Sequence, residues 1–163
     1  MRLTQEHLKI LKSAYDDEER HFSELIARGK IYLSITSVYV GFITFKFTEI
    51  GTVVNDSIFS FALVSMAAAS VLVSLILTIM ALGMYAYEVP FEIGAAAKAA
   101  AGHSSIDEFY EDVIADLAVA AERNSVVNER RAKFLAWSSY FLAAAVCSHL
   151  LALIYYVYRQ HWK

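Results

Sequence analysis

The feature that most constrains this chain is a run of 31 residues, 57–87, without a single charged side chain. The hydrocarbon core of a bilayer is about 30 Å thick, and about 20 helical residues cross it. A soluble protein of 163 residues has little use for such a segment. The run therefore predicts a transmembrane helix at 57–87.

Two further apolar runs predict two further spans. Residues 134–158 carry no charged side chain, and His149 is their only histidine. Residues 31–45 are also apolar, and Lys30 and Lys46 at their ends can each extend toward a membrane face, which predicts a shorter span at 31–48. The single proline, Pro90, suits long uninterrupted helices. The predicted fold class is an all-α membrane protein with three transmembrane helices, long cytoplasmic helical extensions and a homo-oligomeric assembly.

Four polar segments connect or flank these spans. Residues 1–30 form a cytoplasmic amphipathic helix, 49–56 a short external turn-like loop, and 159–163 an external tail. Residues 88–133 form a cytoplasmic connection and a long helix. Ser105 and Glu108 match a capping box, and the absence of Gly or Pro from there to Tyr158 predicts one helix that continues across the membrane.

The basic residues predict the orientation. With three spans, eleven Lys and Arg residues lie on one face and three on the other; without the first span, the split is nine against five. Because cytoplasmic segments are enriched in Lys and Arg, the steeper asymmetry favours three spans. The N-terminus is then cytoplasmic and the C-terminus external.

A heptad seam runs along the first helix. Its apolar positions alternate at spacings of three and four, which is typical of a helix that packs on another helix. Glu18 and Gly29 interrupt it. Two interpretations are open: packing on other helices of the same chain, or a subunit interface. The seam consists of Leu8, Leu11, Tyr15, Glu18, Phe22, Leu25 and Gly29, continued by Tyr32, Thr36, Tyr39 and Ile43.

Enzymatic function is not expected. The chain has no nucleophile elbow, phosphate-binding loop or metalloprotease motif, its one cysteine is Cys147, and no Cys or His pair has zinc spacing, so neither a metal nor a cofactor is expected. His149 is the only histidine within a span. It either forms a hydrogen bond with a neighbouring helix or has a functional role. A membrane enzyme or transporter would need more polar groups at mid-membrane.

Small and hydroxyl residues recur at helical spacing on the first two spans. In lipid such stripes let helices approach closely, and they can equally line a polar path. Three spans alone enclose no aqueous path, so conduction would require several copies of the chain. The pore-lining candidates are Ser37, Gly41, Thr44, Thr48, Ser70, Ser74 and Thr78.

Arginines cluster near the predicted cytoplasmic face. They fit the positive-inside rule and contact with anionic lipid. Alternatively, arginines from several subunits collect a phosphate-bearing ligand, because the planar guanidinium binds phosphate oxygens in pairs. The ligand-binding candidates are Arg20, Arg28, Arg123, Arg130 and Arg131.

Two juxtamembrane segments carry a resemblance to a known group. They are RGKIYLSI at 28–35 and ERNSVVNERRAK at 122–133. With this layout, the chain resembles the small helical membrane effectors of bacterial anti-phage systems that signal with nucleotides. That group includes the Pycsar transmembrane effectors, the two-span domains found beside cyclic-oligonucleotide synthases, and the Hailong effector.

The resemblance implies a toxic effector in the bacterial inner membrane. A synthase partner would make a nucleotide signal, and the effector would oligomerise or gate, depolarise the membrane and stop growth of the infected cell. Hailong-type effectors imply a tetramer as the first expectation. The chain lacks an appended nucleotide-binding domain, so the helical assembly itself would bind the ligand. The alternative is a structural membrane adaptor that recruits a cytoplasmic partner through the long helix.

Overall fold

The structure, a computed structural model, describes residues 5–83, 102 and 106–162. These residues form four principal helices: α1 (Gln5–Phe45), α2 (Phe47–Asp56), α3 (Ile58–Gly83) and α4 (Ile106–His161). Within this part of the chain there is no strand, which confirms the all-α class. The predicted capping box at Ser105 lies outside the described residues, but the long helix that it was expected to start is present as α4.

Among the described residues, two helices, rather than the predicted three, are long and apolar enough to cross a membrane. They are α3, with 26 residues, and the Glu111–His161 part of α4. The second half of α1 does not qualify. Its apolar run has only 15 residues, and the helix continues without a break from the charged segment before it. By length and composition alone, the expected span at 31–48 is the apolar end of a longer helix and is not among the candidate spans.

The short connection between α1 and α3 differs from the expected turn-like loop. Residues Phe47–Asp56 form helix α2, which packs against α3 and buries Val53. Ser57 then separates the two helices in an extended conformation. Its Oγ atom accepts a hydrogen bond of 3.1 Å from the backbone N–H of Ser60, so Ser57 is the N-cap of α3.

The chain divides into two compact units. The first combines Met1–Ile26 with Met84–Arg130, and the second combines Ala27–Gly83 with Arg131–Lys163. Helices α1 and α4 contribute residues to both.

The first unit has a core between α1 and α4. Tyr15 of α1 is buried with Leu117 and Ala120 of α4. Leu117 and Ala120 are three residues apart and so lie on one face of the long helix. Half-buried side chains complete this core: Leu8, Leu11 and Val113.

The two interruptions of the heptad seam are packing positions. In the first unit, Asn128 donates hydrogen bonds from Nδ2 to the carbonyl oxygen of Glu18 at 3.0 Å and to its Oε2 atom at 2.8 Å. In the second unit, a Cβ atom on Gly29 would lie 2.7 Å from Cδ2 of Leu82. All described seam positions are buried or half-buried within one chain. The seam thus packs on the chain's own helices and is not a free subunit interface.

Candidate functional site

A cluster of three buried hydroxyls joins α3 and α4 inside the second unit. Ser74 and Ser138 exchange hydrogen bonds, because the hydroxyl of each donates to the backbone carbonyl oxygen of the other, at 2.9 and 3.0 Å. The Oγ1 atom of Thr78 lies 2.7 Å from Oγ of Ser138. All three side chains are fully buried. This arrangement satisfies the polar groups and fixes α3 against α4.

The pore-lining prediction for α3 is therefore corrected in this structure. Ser70, Ser74 and Thr78 lie on the buried face of α3, where small side chains let α4 approach closely. Ser74 and Thr78 have no surface left for water. Within a single chain, this stripe is therefore a packing contact between helices and not the lining of a polar path. Ser138, which completes the seam, was not among the residues singled out from the sequence.

The hydroxyl stripe of α1 has the opposite exposure. Ser37, Gly41 and Thr44 are exposed, and a Cβ atom on Gly41 would meet nothing within 4 Å. The hydroxyls of Ser37 and Thr44 donate to carbonyl oxygens one turn earlier, at 2.8 and 2.9 Å. The stripe is thus satisfied within its own helix and open at the surface. Thr48, its last predicted member, falls in α2, and its side chain lies outside the described part.

Arg131 is buried, whereas the other four candidate arginines are exposed. Its Nε atom donates a 2.8 Å hydrogen bond to the carbonyl oxygen of Ala81, and only 1% of the residue is exposed. Ala81 belongs to α3, so this hydrogen bond joins α4 to α3. Arg131 therefore stabilises the contact between α3 and α4, which corrects its prediction as an available phosphate ligand.

The remaining four candidate arginines are divided between the two units. Arg20, Arg123 and Arg130 belong to the first unit and Arg28 to the second. Arg20 forms an ion pair of 3.3 Å with Asp17 of its own helix, and both side chains are well exposed, so the pair contributes little to stability. An exposed arginine can contact a phosphate, but these positions alone do not define a site.

His149 lies in an apolar groove between α1 and α4 of the second unit. Its ring makes an edge contact with Tyr39 at a centroid distance of 6.0 Å. The Tyr39 hydroxyl lies 3.5 Å from the carbonyl oxygen of Ala145. The Nδ1 atom of His149 is buried and has no hydrogen-bond partner among the described residues. The sequence identified this histidine but not the groove.

The described residues contain no group of three or more His, Cys, Asp or Glu side chains that could hold a metal ion. No protein family, curated protein or solved structure matches this chain. The candidate site is therefore defined by geometry alone. It consists of the buried seam between α3 and α4, the exposed stripe of α1 and the groove around His149.

Proposed function

We propose that this chain is a membrane protein whose copies assemble around the exposed hydroxyl stripe of α1 to form a gated pore. The proposal begins with the surface of the second unit. Among the described residues, 27 large hydrophobic side chains are exposed; 24 belong to the second unit, and three, Ile10, Val119 and Val126, belong to the first. A lipid environment accounts for such a surface, because apolar patches of this extent are rare on soluble monomers.

The interior of the second unit supports the same environment. Its buried side chains are largely small or polar, including Ser60, Ser74, Thr78, Ser138 and Arg131. Large apolar side chains point outward on the same helices. Helices that associate in lipid use small and hydroxyl residues at their contacts, because burying leucine gains nothing relative to lipid tails. In the first unit, by contrast, apolar residues form the core, as expected in water.

The packing of α1 supports a third membrane segment despite its short apolar run. Gly29 lies near Leu135 of α4, and Lys46 lines a cavity with Tyr156 of α4. The α1 segment between them rises about 26 Å, which approaches the thickness of the hydrocarbon core. The α1 segment runs parallel to α4. When both helices cross the membrane, their C-terminal ends therefore lie on the same membrane face. This is the topology with the N-terminus inside and the C-terminus outside.

The exposed stripe of α1 is the observation that carries the pore proposal. Ser37, Gly41 and Thr44 interrupt a surface that is otherwise rich in large apolar side chains. Facing lipid, these three residues would bury little apolar surface. Facing the same stripe on other copies, they would form a close contact or a polar path along the membrane normal. A pore therefore requires a homo-oligomer, for which a tetramer is the first expectation.

The biological role proposed for this pore is that of a toxic effector in the bacterial inner membrane. The resemblance of the two juxtamembrane segments supports it. Arg20, Arg28, Arg123 and Arg130 are exposed and so remain candidates for a nucleotide-type signal from a partner synthase. Opening would depolarise the membrane and arrest the infected cell.

Cysteine accessibility tests the pore. In a Cys147→Ser background, Ser37→Cys and Ser74→Cys form a matched pair, because one position is exposed and the other fully buried. We expect a charged, water-soluble thiol reagent to modify Ser37→Cys in proteoliposomes and to reduce ion flux, while Ser74→Cys stays unmodified. Modification of the buried position alone would overturn the proposed lining.

Ion flux in the same proteoliposomes distinguishes the proposed pore function from the alternative function as an adaptor. A protein that passes no ions in proteoliposomes, whether or not extract from infected cells is added, is not a channel. Absence of toxicity on overexpression would then favour the adaptor. Tags at the two termini test the topology independently, since a C-terminal tag found in the cytoplasm contradicts three spans.

A further inference from the structure

Two adjoining cavities form one groove on the surface of the second unit. They have volumes of ≈ 710 and ≈ 490 Å³, and both are lined by Phe42 of α1 and by His149 and Leu153 of α4. The first extends along α1 to Ser34 and Ile35. The second extends to Lys46. The groove is therefore continuous between α1 and α4.

The groove is apolar along most of its length and polar at one end. Val38, Phe42, Leu150 and Leu153 dominate its walls. At the end of α1 the lining changes, because Lys46, Thr52 and Tyr156 contribute polar or charged groups. An occupant must combine a long apolar part with a polar head, and the positive charge of Lys46 favours an anionic head.

The length of the groove fits one leaflet of a bilayer. From Ile35 to Lys46 the helix advances by eleven residues, or about 16 Å. Half of a hydrocarbon core of about 30 Å is about 15 Å. An acyl chain lying in the groove would thus extend from the head-group region, near Lys46, to about the bilayer midplane.

His149 supplies a polar group within this apolar groove. It is 9% exposed, and its Nδ1 atom has no hydrogen-bond partner among the described residues. A buried polar atom without a partner is costly, so such an atom at a cavity points to a missing ligand group. The residue lines both cavities, so a glycerol ester oxygen of a bound lipid could accept a hydrogen bond from its imidazole N–H.

We infer that the groove binds one anionic glycerophospholipid per protomer, with an acyl chain on Phe42 and Leu153 and the phosphate beside Lys46. The inference rests on the membrane location proposed above, but not on ion conduction. A free anion would not fill the apolar length of the groove. A second copy of the chain would not account for the lysine at one end.

Native mass spectrometry of detergent-purified protein tests the site. The probes are phosphatidylglycerol and phosphatidylcholine with identical acyl chains. We expect the wild type to retain one phosphatidylglycerol per protomer in preference to phosphatidylcholine. Lys46→Gln should reduce that preference about fivefold, the size expected for one lysine near anionic lipid. Lys133→Gln, which removes a charge outside the groove, is the matched control.

A second pair of variants tests the apolar part. Val38→Trp fills the groove and should abolish retention of both lipids, whereas Leu72→Trp, on an exposed position of α3, should leave it unchanged. His149→Phe should weaken both lipids equally, because an ester oxygen is common to them. Equal retention of the two lipids by the wild type, or unaltered retention by Lys46→Gln and Val38→Trp, overturns the inference.

Two further outcomes would contradict the lipid site. One is that a second chain covers the groove, and the other is that the protein proves soluble without detergent. In a Cys147→Ser background, an efficient disulfide between two copies of Val38→Cys would mean that a second chain covers the groove, which contradicts a lipid there. A protein that stays soluble without detergent would refute the membrane location itself. A membrane-bound protein without lipid preference would refute only the lipid site.

Discussion

The guanidinium of Arg131 on α4 is bound to α3: its Nε atom lies 2.8 Å from the carbonyl oxygen of Ala81. The neighbouring residue, Arg130, is exposed. Two adjacent arginines on α4 thus differ in environment, although each fits the positive-inside pattern equally well. One stabilises the fold, and the other remains available to water or lipid phosphate.

This difference predicts unequal effects of matched substitutions. Arg131→Gln should lower the free energy of unfolding by about 1.5–3 kcal/mol, because a charged hydrogen bond is lost and the Ala81 carbonyl is left without this donor. Arg130→Gln should change it by less than about 0.5 kcal/mol, as is usual at exposed positions. Thermal and denaturant unfolding in detergent measure both. Equal stability of the two variants would contradict the described role of Arg131.

Substitution by leucine should have different effects on stability at Gly29 and at Gly41. Gly29→Leu forces a side chain into the space of Leu82 and should cost about 1–3 kcal/mol, the range for overpacking. Gly41→Leu meets open space within the protomer and should leave its unfolding temperature nearly unchanged. It should nevertheless disrupt assembly, because it fills the proposed contact between copies. Thermal unfolding and light scattering of the same samples separate the two effects, and a tetramer formed normally by Gly41→Leu would count against that contact.

Two neighbouring serines of α4, Ser138 and Ser139, provide a test of the buried hydroxyl cluster. Ser138→Val removes the hydroxyl that bridges Ser74 and Thr78 and adds bulk at a fully buried position, so we expect the variant to unfold at a lower temperature. Ser139→Val is the control, since the hydroxyl of Ser139 bonds only to the carbonyl oxygen of Ala136 in its own helix. Unfolding temperatures that fall equally for the two variants would show that the hydroxyl cluster contributes nothing specific.

Asn128 provides a test in the first unit. Asn128→Asp replaces the amide donor with a carboxylate beside the Glu18 carboxylate, so repulsion should destabilise the packing of α1 on α4. Adding Glu18→Gln should restore part of the stability, because the new amide can donate to the new carboxylate. The second change should not restore the bond to the Glu18 backbone. A double-mutant cycle measures the coupling, and its absence would mean that the two side chains do not interact.

Periodicity predicted much of the fold. The alternation of three and four along α1 correctly identified its buried face, and the absence of Gly and Pro predicted the length of α4. The interruptions at Glu18 and Gly29 read as flaws because the sequence does not reveal the partner surface. Asn128 and Leu82 lie more than 50 residues away along the chain, and each fits the residue that it faces.

The candidate site was less predictable for a related reason. A hydroxyl every three or four residues is typical both of a close helix contact and of a polar path, and the pattern is the same for α1 and α3. The structure distinguishes the two stripes. Ser74 and Thr78 face Ser138 on another helix of the same chain, whereas Ser37 and Thr44 are exposed. Likewise, the short apolar run of α1 does not reveal that this segment packs beside α4.

The bond between Ser74 and Ser138 joins residues 64 positions apart. At about 5–20 residues per second, the ribosome needs about 3–13 s to make the chain between them. If α3 inserts into a bilayer as proposed, its hydroxyl face is uncovered during this interval. Thr78 can donate to the Ser74 carbonyl meanwhile, but the bond from Ser74 to the Ser138 carbonyl forms only when α4 arrives. In the membrane setting proposed above, newly made α3 would therefore benefit from an insertase or chaperone that shields its polar face until the last helix arrives.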